Sequence, residues 1–328
     1  MAVTAEEVMA TYEDLAKLEA QFDDVETETI RYQHKITKPL YAKRAEVVAK
    51  ISSFWSLVFE QAPMEIDESI QPTDSALLLG SIHNFSVERF EIDSDIENGE
   101  PRSVLFRFEF NENEYFEDKV IEKKFWWRYG KDGTIGYVSE PVNIKWKDGK
   151  DLTNGLLALA RAAWEEDQAV PKKDGKDKKE KALGPAASAL KKKMEEHEGA
   201  VSFFAWFGFV GEKISAEENA EVVAKKKAGE EIEAEDTEMQ DGDDEDWEDE
   251  DDLEDLEIFP NGDDVAMALA DDLWPNALKY FTAAQDDDLG SDIEFESGDE
   301  DEEDEEEGSS AQKPSKKKHK GCAHGCEH

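Results

Sequence analysis

Between residues 8 and 36, the positions Val8, Thr11, Leu15, Leu18, Phe22, Val25, Thr29, Tyr32 and Ile36 recur at alternating steps of three and four, with charged and amide side chains filling most of the gaps. Residues so spaced form one narrow stripe on a helix, the seam of a coiled coil. The pattern predicts about 34 helical residues before Pro39, a rod of roughly 50 Å that one compact domain does not cover. Pro39 is expected to kink or interrupt it. A second, identical helix is the expected partner, with Val8, Leu15, Leu18, Phe22, Val25, Tyr32 and Ile36 as its contacts. The simpler alternative is an amphipathic helix packed on its own domain. KRAEVVAKISSFWSLVFEQAP, from Lys43, is expected to continue as helix.

From His83 the period changes to two. HNFSVERFEI, SVLFRFEFNE, EKKFWWRYG and TIGYVSEPVNIKW alternate or are rich in β-branched and aromatic residues, and DIENGEPR, GKDGT and KDGKD punctuate them. In SVLFRFEF, Phe106, Phe108 and Phe110 fall on one face and Leu105, Arg107 and Glu109 on the other, as in a half-buried antiparallel strand. About four strands are expected. A helix follows from Leu152, then a Lys-rich stretch, VPKKDGKDKKEKALGPAASALKKKMEEH, read as a mobile loop because it holds Gly and Pro and no aromatic residue. Apolar sequence resumes at VSFFAWFGFV and again at DDVAMALADDLWPNALKYF, whose spacing is helical. The fold class is therefore α+β, a long N-terminal helix followed by an antiparallel sheet with flanking helices. By domain, residues 1-60 are expected to form a long coiled-coil dimerisation helix and a connecting helix, and 61-285 an α/β domain. That domain carries a Lys-rich loop at 171-199 and an acidic insertion at 230-260. Residues 286-328 form an acidic tail ending in a basic and Cys/His-rich segment.

Charge changes this picture most in the last third of the chain. The 328 residues carry 83 Asp and Glu against 38 Lys and Arg, a formal charge of −45. Up to Gly229 there are 44 acidic and 32 basic residues; from Glu230 onward there are 39 and 6. The run DGDDEDWEDEDDLEDLE, 241 to 257, contains no cation. Such a run repels itself and has too little apolar surface to offset chain entropy, so it is expected to be disordered alone and to await a basic partner. Free DNA would be repelled and is expected to be engaged only indirectly. The run interrupts a folded domain, so the aromatic segments on either side of it are expected to meet in space.

No apolar run approaches the roughly 20 residues of a membrane span, and the N-terminus lacks the pattern of a signal peptide. An intracellular, soluble protein is expected. Cys322 and Cys326 are the only cysteines, so no disulfide framework supports the fold.

The order KRAEVVAKISSFW, ENEYFEDKVIEKKF, IKWKDGKDLT, SFFAWF, DDLWPNALKYF, followed by an acidic tail, resembles the nucleosome assembly protein family, and within it the SET / template-activating factor branch. The resemblance covers most of residues 10 to 285. It implies a dimer joined by a long antiparallel helix pair, with an "earmuff" α/β domain at each end. It also implies that core histones are the basic partner, held on an acidic underside with help from acidic tails and exchanged with DNA without ATP. No GxxxxGK[ST] loop is present.

The same likeness, run back without gaps from DDLWPN, places Asp263, Asp264, Asp271 and Asp272 on the histone-facing side. Asp272 could instead be a helix cap or dipole partner. Glu117 and Asp118, and Asp243, Asp244, Glu245 and Asp246 of the acidic run, are further histone-binding candidates. Paired carboxylates at 117 and 118 would also suit a catalytic cleft, but no nucleophile accompanies them and no enzyme is expected. Tyr115, Phe116, Phe203, Phe204, Trp206 and Trp274 read as core. The Lys-rich loop would either touch DNA during exchange or pair with the acidic insertion.

KPSKKKHK, 313 to 320, is similar to a nuclear-import signal, which points to the nucleus, with shuttling to the cytoplasm. Cys322, His324, Cys326 and His328 alternate with other residues. They could hold zinc or copper, or form a redox-sensitive tail; no cofactor is expected. Because SET-like proteins are also linked to phosphatase inhibition, and other relatives to a histone acetyltransferase, regulation of such an enzyme is the alternative function. Some relatives end in a prenylation box; GCEH is not one, and lipidation is not expected.

Overall fold

The computed structural model describes residues 5–93, 99–169, 183–197, 199–228 and 256–296. Helix α1 spans Ala5–Val48. Its 44 residues include Pro39, so the expected interruption does not occur. Proline costs the helix one hydrogen bond and a steric clash, and contacts made by α1 on both sides of residue 39 offset that loss. The chain does break where continuous helix is expected, at Ala49–Ser53, and α2 (Phe54–Glu60) begins anew with Phe54, Trp55, Val58 and Phe59 buried.

Two short helices follow, α3 (Met64–Asp67) and α4 (Pro72–Ser81). The sheet comprises β1 (Ile82–Glu88), β2 (Val104–Phe110), β3 (Val120–Tyr129) and β4 (Ile135–Ser139), with α5 (Phe90–Asp93) between β1 and β2. It is antiparallel in the order β1-β2-β3-β4. Phe106, Phe108 and Phe110 are all buried on one face. There they meet Phe85, Phe125 and Trp206, with ring centroids 4.8 to 6.4 Å apart in stacked and edge-on pairs.

Helix α6 (Leu156–Ala169) packs against α7 (Pro185–Glu195). The second half of the stretch expected as a mobile loop is therefore helix. Gly184 and Pro185 act there as N-cap and first helical residue, and Ala187 and Leu190 bury into the fold. A 3-10 helix at Phe203–Gly208 is buried throughout. After α8 (Ala216–Ala228), the chain returns as α9 (Gly262–Met267), a π-turn segment at Ala268–Leu273, and α10 (Ala277–Glu296).

The aromatic segments on either side of the acidic run meet. Trp206 Nε1 donates to the Gly262 carbonyl at 2.7 Å. A Cβ on Gly262 would stand 2.4 Å from the Phe209 ring, a close approach that requires glycine, and Gly208 lies against the end of the Ile258 side chain. Asp74, fully buried, accepts from Gln71 N, Ser202 Oγ and Phe203 N, tying the start of α4 to the start of the 3-10 helix.

Candidate functional site

Helix α1 carries two stripes. Leu15, Leu18, Phe22, Val25, Tyr32 and Ile36, all from the predicted seam, are 49% to 74% exposed. Val8 lies within the helix, but its side chain falls outside the described residues. The second stripe, Asp23, Thr27, Ile30, His34, Thr37, Tyr41, Arg44 and Val48, is half-buried or buried against the chain's own domain. The stripe that packs on the chain's own domain is thus a different one from the predicted seam, which is exposed.

Docking on the second stripe is polar. Asp23 pairs with Arg102 at 2.7 Å, and Arg31 donates to the Gly99 carbonyl. His34 Nε2 and Lys38 both reach Asp93, the former at 2.8 Å. Burial alone would raise the Asp93 pKa, but hydrogen bonds from Lys38 and His34 hold it below the usual carboxylate range. Toward the end of α1, the Arg44 guanidinium lies 4.1 Å from the Trp274 ring centroid and donates to the Trp274 carbonyl at 2.6 Å. Burial pulls Arg44 down to about 10. A cavity of about 830 Å³ between α1 and the domain is walled by Tyr41, Trp127, Tyr137 and Trp274.

The second feature is a carboxylate face. Helix α3, which carries Glu65, Asp67 and Glu68, packs against α9, which carries Asp263 and Asp264, and against the π-turn segment. Asp263 is half-buried and the other four are exposed; none of the five makes an ion pair among the described residues. The reason lies in the sequence. No Lys or Arg occurs from Ile51 through Glu88, nor from Ala228 through Leu278, and the fold packs these two cation-free stretches together.

The π-turn segment continues this surface. Asp271 pairs with Arg89 at 2.9 Å. Asp272 accepts from Asn276 Nδ2 at 2.8 Å and from the Tyr280 hydroxyl at 2.9 Å. Tyr280 is pushed up to about 12, by burial first, then by Asp272 and the charge of Glu65, which places Glu65 within electrostatic reach of Tyr280. Part of the Asp272 carboxylate is thus engaged at the start of α10, in keeping with the helix-end reading of this residue.

The fold also holds a fully buried cation. Lys123 Nζ donates to the carbonyls of Glu140, Phe207 and Phe209 at 2.8, 3.2 and 2.6 Å. Burial pulls Lys123 down to about 7, whereas the charges of Glu257 and Glu140 favour its protonated form. Three acceptors also match the three hydrogens of an ammonium group. The Glu257 carboxylate, raised by burial, accepts from Val210, Gly211 and Phe259 N–H groups. Lys123 and Glu257 together satisfy both polarities of the backbone from 207 to 211 and fix the chain where it re-enters the fold.

Asp263, Asp264, Asp271 and Asp272 come together on this face. Glu117 and Asp118 sit elsewhere in the fold, on the β2–β3 connection. There Asp118 accepts from Lys145 N at 2.6 Å, and its other oxygen is 3.6 Å from Lys145 Nζ. Asp243, Asp244, Glu245 and Asp246, and Cys322, His324, Cys326 and His328, lie outside the described residues. Among the described residues no group of three metal-ligating side chains occurs, and no helix is long and apolar enough to cross a membrane. Sequence reasoning missed Glu65, Asp67 and Glu68; the 38-residue absence of Lys and Arg around them was the available signal.

A long helix with an unpaired apolar stripe, a four-stranded antiparallel sheet and a cation-free carboxylate face define a class of acidic, helix-joined α/β binding proteins. Residues 5–284 match the nucleosome assembly protein (NAP) family, and the chain belongs to it. It is 35% identical over 156 residues to a candidate nucleosome assembly protein of Schizosaccharomyces pombe, a match covering 44% of this chain and 61% of that protein. To Protein SET of Drosophila melanogaster it is 27% identical over 269 residues, covering 81% of this chain and 66% of that protein. The matches thus span somewhat under two thirds of each of these relatives. Among solved structures, the crystal structure of Ccp1 is similar at a TM-score of 0.50 and 25% identity, covering 85% of this chain and 97% of that one.

Proposed function

We propose that this chain is a histone chaperone that acts as a homodimer in the nucleus, shielding basic histones and passing them to or from DNA without ATP. The cation-free face built from α3 and α9 carries this reading. Five carboxylates without internal counter-charges create a field that favours a strongly cationic partner and repels DNA. Family membership makes core histones the natural cation. Screening acts over about 8 Å at physiological ionic strength, so the face competes with DNA phosphates only at close range. Deposition is then exchange between two polyanions, and needs no nucleotide. The exposed stripe on α1 supports the dimer.

The test is titration of core-histone pairs with the full chain and with a variant carrying Glu65→Gln, Asp67→Asn, Glu68→Gln, Asp263→Asn and Asp264→Asn. Affinity should fall by more than about tenfold at physiological salt, with a shallower salt dependence and an unchanged or higher melting temperature. Equal affinity would move the grip away from this face. A third protein, with residues 230 to 258 replaced by a neutral linker, measures the share of the acidic run. Absence of histone binding by all three would overturn the chaperone reading.

A further inference from the structure

The two edges of the sheet differ in how they are closed. Along β4, Ser139 N donates to the Val210 carbonyl, Glu212 N donates to the Tyr137 carbonyl, and Val138 bridges Gly211, so the segment 210–212 covers that edge. Along β1, β2 takes one side. Among the described residues no backbone group bonds to the other side between Asn84 and Glu88. An open edge is a template for another strand, and proteins commonly blunt one with lysine or proline. β1, IHNFSVE, carries neither, and from Asn84 to Glu88 it pairs with β2 in unbroken register.

The cavity of about 830 Å³ beside α1 runs along this open edge. Ser86, Val87, Glu88 and Arg89 all border it, although the side chains of successive strand residues point to opposite faces. Only the edge of a strand offers both faces to one cavity. At about 3.3 Å per residue, roughly 10 Å of β1 is involved. Val87, Trp127 and Tyr137 lean on the hydrophobic core and give the cavity an apolar wall. Its cations are already taken: Arg89 by Asp271, Arg102 by Asp23 and Glu100, and Lys38 by Asp93, which His34 also reaches. Glu88 and, from α1, Glu26 border it as well; both are exposed and neither makes an ion pair among the described residues. The uncompensated charge of the cavity is therefore negative.

We propose that this edge docks an extended, basic segment of a partner protein, which adds to β1 as a fifth strand. The incoming backbone takes the edge from Ser86 to Arg89. Every second side chain is apolar and turns to Val87 and its aromatic neighbours; those between are lysine or arginine and answer Glu88 and Glu26. Strand addition draws affinity from main-chain hydrogen bonds and selectivity from alternate side chains. Opposite charges on neighbouring strands add to it, whereas an acidic segment would meet like charge. The site shares no residue with the five carboxylates of α3 and α9, and it stands whether or not those grip histones.

The probe is a blocked octapeptide of alternating lysine and valine, titrated into the full chain at physiological salt beside two forms, one N-methylated at every lysine and one at every valine. All three carry the same charge, so attraction to the acidic runs cancels. In an added strand alternate amides face the host and the solvent, so one methylated form should bind more than about tenfold more weakly than the other. Equal affinities would overturn the proposal. Glu26→Gln with Glu88→Gln should weaken the unmethylated peptide about fivefold, and the five substitutions on α3 and α9 less than about twofold. The reverse order would move the peptide to the carboxylate face and overturn the proposal. In hydrogen exchange, the outward amides among Ser86, Val87, Glu88 and Arg89 should exchange fast in the free chain and slow with peptide. If they are slow in the free chain, release on removing residues 297 to 328 would give the edge to this chain's own basic segment, and release on dilution to a second copy; either result overturns the proposal.

Discussion

The face built from α3 and α9 and the solvent side of the sheet are both rich in carboxylates, yet they differ in how those carboxylates are compensated. On the sheet and the segments next to it, Arg107 bridges Glu109 and Glu122, Lys150 pairs with Glu114, Lys145 with Asp118 and Lys131 with Glu221. On the other face Glu65, Asp67, Glu68, Asp263 and Asp264 have no such partners among the described residues. Acidic content alone therefore does not mark a binding surface. What marks it is charge that the fold leaves for another molecule to neutralise, while exposed internal pairs contribute little even to stability.

The largest effect should come from the buried scaffold on which the segments after residue 207 are fixed. Lys123→Met leaves the Phe209 carbonyl without its donor and Glu257 without its counter-charge. It should cost about 2–4 kcal/mol in denaturant unfolding. It should also remove a pH dependence. Burial lowers the folded Lys123 pKa to about 7, below that of a solvated lysine, so the unfolded chain binds more protons between about pH 7 and pH 10 and stability rises with pH across that window. The variant should lose that rise. Next in size, Asp263→Lys should weaken histone binding about five- to tenfold, roughly the loss of one unscreened charge contact, whereas Glu114→Lys should change it less than about twofold. Equal effects would erase the distinction between the faces.

The smallest effect concerns the docking of α1. Asp93 is held below its ordinary pKa by Lys38 and His34 despite its burial. Its contribution is present above the ordinary carboxylate pKa of about 4 and is lost as pH falls through the lower folded value. In an acid titration followed by near-ultraviolet circular dichroism, Asp93→Asn should remove part of the loss of signal in that range. An unchanged titration would mean that the Asp93 contacts do not hold the helix.

How far the sequence reveals this molecule depends on the range of the interactions involved. The period of two through Phe106, Phe108 and Phe110 and the steps of three and four along α1 are local patterns, and both faces were legible from them. Helix α7 was not, because Gly184 and Pro185 signal a break as readily as a helix start, and only packing of Ala187 and Leu190 on α6 decides between them. The same holds for Pro39, whose local cost is visible while the compensating contacts, made across hundreds of residues to Trp274, are not. Of the site, Asp263 and Asp264 were reached by family likeness. Glu65, Asp67 and Glu68 join them only when α3 and α9 meet, and the joint absence of cations from two distant stretches becomes meaningful only in the fold.

The knot formed by Trp206, Gly208 and Glu257 with the segment from Leu256 to Gly262 bears on how this family's acidic runs can diversify. Both borders of the stretch from 229 to 255 are fixed by contacts lying outside it, in α8 on one side and in that knot on the other. Lengthening a loop between fixed ends costs only about 0.6 kcal/mol per doubling. Natural variation or a designer can therefore exchange the stretch for a longer, shorter or differently charged one while the domain on either side of it stays as it is.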